Sequence, residues 1–224
     1  MAKIIGIMGE SGSGKTTSMR NLDPTTTLYI DCDKKGLSWR GWKEQYNIEK
    51  FNYIKTDDTE VILKTLNQIN KGKAKVKDGT ELDLHHIKTV IVDTINGIMI
   101  ADEMRRCKEK GYDKWQDLAK AVYDIIDISL TLRDDLTIIF IAHSQTERDE
   151  SGNVFTRIKT NGKKLEKVSL ESKMTTVLHA VVKDGQYIFE TKANNSTCKT
   201  PMGAFELDEI ENDIKIVLEA LKEF

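Results

Sequence analysis

Proline occurs only twice in the 224 residues, and no serine- or glycine-rich tract interrupts them. The chain therefore offers no candidate for a long linker or a disordered tail, which need such residues or a strong charge excess to stay unpacked. Long apolar runs are missing too. Nothing approaches the roughly 18 consecutive apolar residues of a membrane span, and "MAKIIGIMG" is too short and too soon interrupted for a signal peptide. Cysteine is scarce: Cys32, Cys107 and Cys198 are odd in number and far apart, with no C-x-x-C pair, so neither a disulfide frame nor a zinc site is offered. Neither charge sign dominates. A formal charge of −2 excludes a globally basic nucleic-acid binder but leaves room for a local cationic strip, because counterion release depends on the charges that face phosphates. These absences predict one soluble domain spanning 1–224, cytoplasmic and without a membrane contact, whose 39% apolar residues fill a single core.

What is present alternates. "KIIGIMG", "TTLYIDCD", "FNYIKT", "KTVIVDT" and "LTIIFIAHS" read as strands, and segments of helical period fall at 14–22, 58–70, 97–110 and 114–132. Strands such as "TVIVD" and "TIIFIA" are apolar on both faces, as expected where helices cover both sides of a parallel sheet. Residues 71–87, with Asp78-Gly79 as a turn, read as a hairpin insertion. "TTVLHAVV" and "QYIFETKA" flank Asp184-Gly185 as an antiparallel pair, and 206–224 reads as a C-terminal helix. The expected class is α/β, a mostly parallel sheet flanked by helices with an antiparallel C-terminal extension.

Gly9-Glu10-Ser11-Gly12-Ser13-Gly14-Lys15-Thr16, followed by Thr17, satisfies G-x-x-x-x-G-K-[ST] and stands between an apolar strand and an amphipathic segment. Glycines let the backbone curl around phosphates with its N–H groups pointing inward, and a following helix adds its unsatisfied N-terminal amides. Lys15 is then placed to neutralise the terminal phosphates of ATP, and the Thr16 hydroxyl to ligate Mg²⁺. Asp93 closes the strand "TVIVD" at the carboxyl end, where open α/β sheets bind ligands, and suits the acidic partner that holds the metal with Thr16. An acid in that position also commonly caps the next helix, and Asp93-Thr94 offers that alternative.

The loop does not say what the phosphate is for. A GTPase would usually carry N-K-x-D, which is absent. A phosphotransferase on a small substrate would usually carry an arginine-rich lid, and only Arg148 and Arg157 follow Ser144 before the next strand. A third class, a nucleotide-gated assembly module with little turnover, shares the same motifs.

Three further stretches carry a family resemblance. "TLYIDCDKKG" resembles the second core strand of RecA-type ATPases, which ends in an acid that polarises the attacking water, the place of Asp33. "TIIFIAHSQ" resembles the strand whose polar end senses the γ-phosphate, the places of His143 and Gln145. "TKANNSTCKTPMG" looks like the segment that puts a lysine on a neighbour's γ-phosphate, with Lys192 and Lys199 as candidates and Lys199 favoured. From residue 1 to about 203 the chain resembles the minimal RecA-core, AAA-domain ATPases of bacteriophages linked to single-strand annealing and recombination. The resemblance implies a Mg-dependent ATPase, slow or DNA-stimulated, that forms a homo-oligomeric ring or filament and acts on single-stranded DNA in the host cytoplasm. It also implies a mobile, DNA-tracking loop at 146–167. There Phe155 is placed to stack on a base, and Arg157, Lys159, Lys163, Lys164 and Lys167 to follow the backbone. "ESGNVFTRIK" reads equally as a plain hairpin. Trp39, Trp42 and Tyr46 read as packing residues, with adenine contact as the alternative.

Overall fold

The computed structural model describes residues 1–75, 79–148, 152–160 and 169–224. Its strands are β1 (Lys3–Gly9), β2 (Thr27–Asp31), β3 (Tyr53–Lys55), β4 (Lys73–Lys75), β5 (Glu81–Asp83), β6 (Thr89–Asp93), β7 (Thr137–Arg148), β8 (Val154–Ile158), β9 (Thr176–Lys183), β10 (Gln186–Glu190) and β11 (Glu209–Glu211). Five α-helices join them: α1 (Trp42–Gln45), α2 (Thr59–Asn70), α3 (Ile95–Arg105), α4 (Tyr112–Ser129) and α5 (Ile214–Ala220). The main sheet runs β11-β10-β9-β1-β7-β6-β2-β3, with β8 paired to the outer half of β7. All pairings from β9 through β1, β7, β6 and β2 to β3 are parallel, while β10 and β11 are antiparallel. This is the α/β fold expected of a RecA-like P-loop core.

The alternation of side chains along β7 shows why its sequence is apolar throughout. Ile138, Phe140 and Ala142 join one buried cluster, with Ile62 and Leu66 of α2, Ile98 of α3 and Ile125 of α4. Ile139 and Ile141 point the other way, into a cluster with Tyr29, Tyr46, Phe189 and Val217. Both faces are covered, so no polar alternation survives in the strand. Helix α2 begins where Asp58 accepts the Glu60 and Val61 amides at 2.9 and 3.2 Å, and it buries Ile62, Leu66 and Ile69 at helical spacing. The aromatic residues after β2 pack: Tyr29 meets Tyr46 at 5.7 Å, and Trp42 meets Tyr53 at 5.3 Å between ring centroids. Asp184 and Gly185, both with positive φ, make the β9–β10 turn. Strands β4 and β5 pair antiparallel within 71–87, and Asp78 lies outside the described residues. The three cysteines are free. Among the described residues, no helix is long and apolar enough to cross a membrane.

Two expectations are corrected. The helix expected at 14–22 is one turn: the Ser18 amide bonds the Gly14 carbonyl at 2.9 Å, and a 3₁₀ segment covers only Thr17–Met19. Pro24 forces the residue before it out of the helical region, and Asp23 turns its carboxylate onto the Thr25 amide and hydroxyl, so the chain leaves the helical path there. The helix expected at 206–224 covers Ile214–Ala220 only. "EIE" alternates with period two and pairs as the edge strand β11, and Asp213 then caps α5 by accepting the Lys215 amide at 2.9 Å.

Phe140 is fully buried in the first half of β7. Phe140→Ala is expected to lower unfolding free energy by about 3–5 kcal/mol through lost burial and an unfilled cavity, measured by urea denaturation. A loss below about 1 kcal/mol would contradict the two-faced core.

Candidate nucleotide site

Parallel strands β1, β7, β6 and β2 lie in that order, which brings the loop after Gly9, the carboxylate of Asp93 and the turn after Asp31 to one edge of the sheet. Two glycines are required by what surrounds them. A Cβ on Gly9 would lie 2.4 Å from the Ala180 carbonyl oxygen, so β9 closes against the loop. Gly14 has φ +89°, and a Cβ there would lie 2.8 Å from the Tyr187 ring and 3.0 Å from Asn212 Oδ1. Loop residues Ser11, Gly12, Gly14, Lys15, Thr16 and Thr17 wall a cavity of about 440 Å³. Lys35, Ser38, Thr94, His143 and Tyr187 close it from neighbouring elements. Gly9, Glu10 and Ser13 stand behind this wall, where their oxygens hold the Lys15 amine.

Lys15 is 6% exposed. Its amine donates to the Gly9 carbonyl at 2.8 Å and the Glu10 carbonyl at 2.6 Å, with Ser13 Oγ at 3.5 Å. Burial pushes its pKa down to about 8 against the pull of Asp93, and the nearby Lys35 pushes it the same way. A cation held this far below its ordinary value is ready for an anion.

Asp93 is the node. Its Oδ2 accepts the Thr16 hydroxyl at 2.8 Å and the Tyr29 hydroxyl at 2.5 Å. Its Oδ1 is buried without a hydrogen-bond partner, and burial raises its pKa. That orphaned oxygen and the Thr16 hydroxyl held on the same carboxylate are the oxygen ligands that Mg²⁺, or a water donating from it, would take, so the residues fit the ion. Thr94, rather than Asp93, caps α3 by accepting the Gly97 amide at 3.0 Å, so the carboxylate is not taken up by the helix cap.

Asp33 is half-buried. Its carboxylate lies between the Thr94 hydroxyl, which donates at 3.0 Å, and the Lys35 amine at 2.5 Å, and it does not itself line the cavity. His143 does line it. Burial and then the Lys15 charge lower its pKa, so the imidazole is neutral at pH 7. Gln145 stands further out along β7, where its amide nitrogen donates to Glu147 and its oxygen accepts the Thr160 amide at 3.3 Å. The structure therefore brings His143 to the site but not Gln145.

Lys199 is also away from the cavity. Its backbone pairs with Val177 of β9, and Lys192 is bound to Asp208 at 2.5 Å. In the segment 146–167, the described residues form the β7–β8 arm, the hairpin alternative, in place of an open loop. Phe155 on it is half-buried, and Lys159 is exposed. The Arg157 guanidinium lies 3.6 Å from Glu147, and its side chain is 11% exposed. Lys163, Lys164 and Lys167 lie outside the described residues.

The model of the AAA domain family matches residues 1–200. The chain belongs to the AAA domain family. No curated protein matches it. Family membership identifies this AAA domain as a nucleotide-binding protein of the P-loop ATPase type.

The motif reading missed three residues of this AAA domain. Tyr29 looks like one more core aromatic of β2, yet it supports the Asp93 carboxylate. Lys35 looks like a solvated lysine, yet it faces the cavity. Asn96 is 1% exposed on α3; its Oδ1 accepts the His143 amide at 2.7 Å and its Nδ2 donates to the Lys159 carbonyl at 2.8 Å. A polar amide three residues past Asp93, in the first turn of an otherwise apolar helix start, is the local signal that marks it.

The depressed Lys15 sets the sign of a proton linkage. Below about pH 8 the amine is already charged, and between about 8 and its ordinary 10.5 the empty site holds it neutral. Binding a triphosphate restores the charge, so uptake should be about 0.1 proton at pH 7 and close to one at pH 9, read by calorimetry in buffers of different ionisation enthalpy. Equal uptake at the two pH values would show that Lys15 does not meet the anion.

Proposed function

We propose that this AAA domain binds ATP with Mg²⁺, hydrolyses it slowly or under stimulation by DNA, and uses the state of the terminal phosphate to control a hold on single-stranded DNA. The setting that fits this reading is phage recombination or annealing in a bacterial host. The observation that carries it is the Thr16 hydroxyl on Asp93 Oδ2 at 2.8 Å, with a buried, unpartnered oxygen on the same carboxylate.

The loop amides and Lys15 bind the phosphates, and catalysis is positioning and charge stabilisation. Bound Mg²⁺ would neutralise charge on the phosphate oxygens. Thr16 and Asp93 hold its place, and Tyr29 fixes the carboxylate from behind. Asp33 orients the attacking water or takes its proton. His143, neutral and on the cavity wall, donates a ring N–H to the terminal phosphate while that group is present and loses this contact when it leaves.

Coupling to DNA follows from one strand. β7 runs from the cavity at His143 to the arm at Arg148, and the Lys159 amide bonds the His143 carbonyl at 2.7 Å. Asn96 ties both residues to the helix that starts at the end of β6. A shift of His143 on phosphate loss is therefore felt at the root of the arm carrying Phe155 and Lys159.

Steady-state turnover with and without single-stranded DNA tests this reading. Asp33→Asn is expected to lose about 10²–10⁴-fold in kcat. Full turnover in that variant would remove Asp33 as the base. Fluorescence anisotropy should show single-stranded DNA binding that weakens with salt and differs between ATP-analogue and ADP states, and salt-independent or absent binding would remove the DNA role.

A further inference from the structure

Lys35 is the second lysine on the cavity wall, and no motif accounts for it. It follows Asp33 in the turn after β2, and Asp31 pins that turn by accepting the Gly36 amide at 2.8 Å and the Tyr53 hydroxyl at 2.6 Å. The turn is further fixed by Gly36, whose φ of +85° and approach to the Trp42 ring leave no room for a Cβ. Lys35 therefore springs from a rigid base. Its amine sits close enough to the centre to depress Lys15 and His143 and to favour the charged form of Asp93. The amine is bound to Asp33 at 2.5 Å, while its side chain is 57% exposed. With Lys15 it is one of the two lysines on the cavity wall.

We propose that Lys35 is a finger acting in cis: its amine binds the terminal phosphate of the nucleotide held by the same chain, and its pairing with Asp33 is a latch that this phosphate opens. The proposal rests on the reading of the site as an ATPase centre and gives it a residue and an order of events. In the empty site Asp33 and Lys35 satisfy each other. A terminal phosphate carries more charge than one carboxylate and takes the amine away, and the Asp33 carboxylate, still held by Thr94, is released to orient water. A diphosphate does not reach the amine, so the latch stays shut. Neither of the lysines considered for a neighbour's site, Lys192 or Lys199, reaches this cavity in its own chain. With Lys35 present, the chain needs no neighbour to complete the charge around the phosphate.

Displacement of a fluorescent nucleotide separates binding from turnover. Lys35→Gln is expected to bind a non-hydrolysable triphosphate analogue about 10–100-fold more weakly with ADP affinity unchanged, since one charge-assisted hydrogen bond to the terminal phosphate is lost. Asp33→Asn should bind the analogue several-fold tighter than wild type, because the lysine is no longer engaged, although its turnover falls. Specific activity of the wild type should not change with protein concentration. Wild-type triphosphate-to-diphosphate selectivity in Lys35→Gln, or weaker analogue binding in Asp33→Asn, overturns the finger while leaving the nucleotide site standing. A wild-type protein that binds neither nucleotide overturns both.

Discussion

A single carboxylate oxygen, Asp93 Oδ2, receives two hydroxyl groups from separate elements, Thr16 in the loop after β1 and Tyr29 in the middle of β2. The rest of the site depends on this junction. Asp93 is buried, and a buried carboxylate with one bare oxygen is costly unless hydrogen bonds or a cation compensate it. Two short hydroxyl contacts supply part of that compensation, and in the proposed function a divalent ion would supply the remainder at the unmet oxygen. Lys15 stores the complementary cost: a buried ammonium held by two carbonyls, with its pKa pushed down to about 8. The close approach of Gly9 to the Ala180 carbonyl fixes the loop that carries Lys15, and in the proposed function a phosphate chain with its ion would relieve both costs at once.

The surrounding architecture turns this local imbalance into a position from which something can be moved. The sheet is apolar on both faces, so the strands cannot slide to accommodate a ligand, and the responsive parts are the groups at their ends. Asn96 bonds the backbone at His143 and at Lys159, making one hydrogen-bonded unit of the start of α3, the cavity wall and the root of the arm. Glu171 reinforces the arm from below by accepting the Ile158 amide at 2.8 Å and the Thr197 hydroxyl at 3.0 Å. The segment around Thr197 runs beside β8, which gives residues 195–197 a place in holding the arm.

Much of this was legible in the residues, for identifiable reasons. The parallel core declared itself because strands buried on both faces must be apolar throughout, and the loop declared itself because close approach at Gly9 and positive φ at Gly14 leave little choice of residue. Elements set by medium-range competition were not legible. The turn after Lys15 carries helix-forming residues, yet Pro24 and the Asp23 carboxylate close it early, and "EIE" joins an edge strand because β10 offers it a partner that the sequence does not display. Site residues defined by the fold were hidden for the same reason. Nothing local distinguishes Tyr29 from the other aromatic residues near it, or Lys35 from Lys34, which instead pairs with Asp57 at 2.8 Å. The pairing of Arg157 with Glu147, ten residues earlier, was hidden too, because the two meet only once the hairpin forms.

The account stands on Thr16 and Asp93 acting as one unit toward the metal-bound nucleotide, and a double-mutant cycle measures that directly. Thr16→Val, Asp93→Asn and the double variant would be titrated with an ATP analogue in Mg²⁺ and again in excess chelator. The prediction is that each single change weakens Mg-dependent binding, that the double variant is hardly weaker than either, and that the differences vanish in chelator. Fully additive losses, or losses of the same size without the ion, would contradict it.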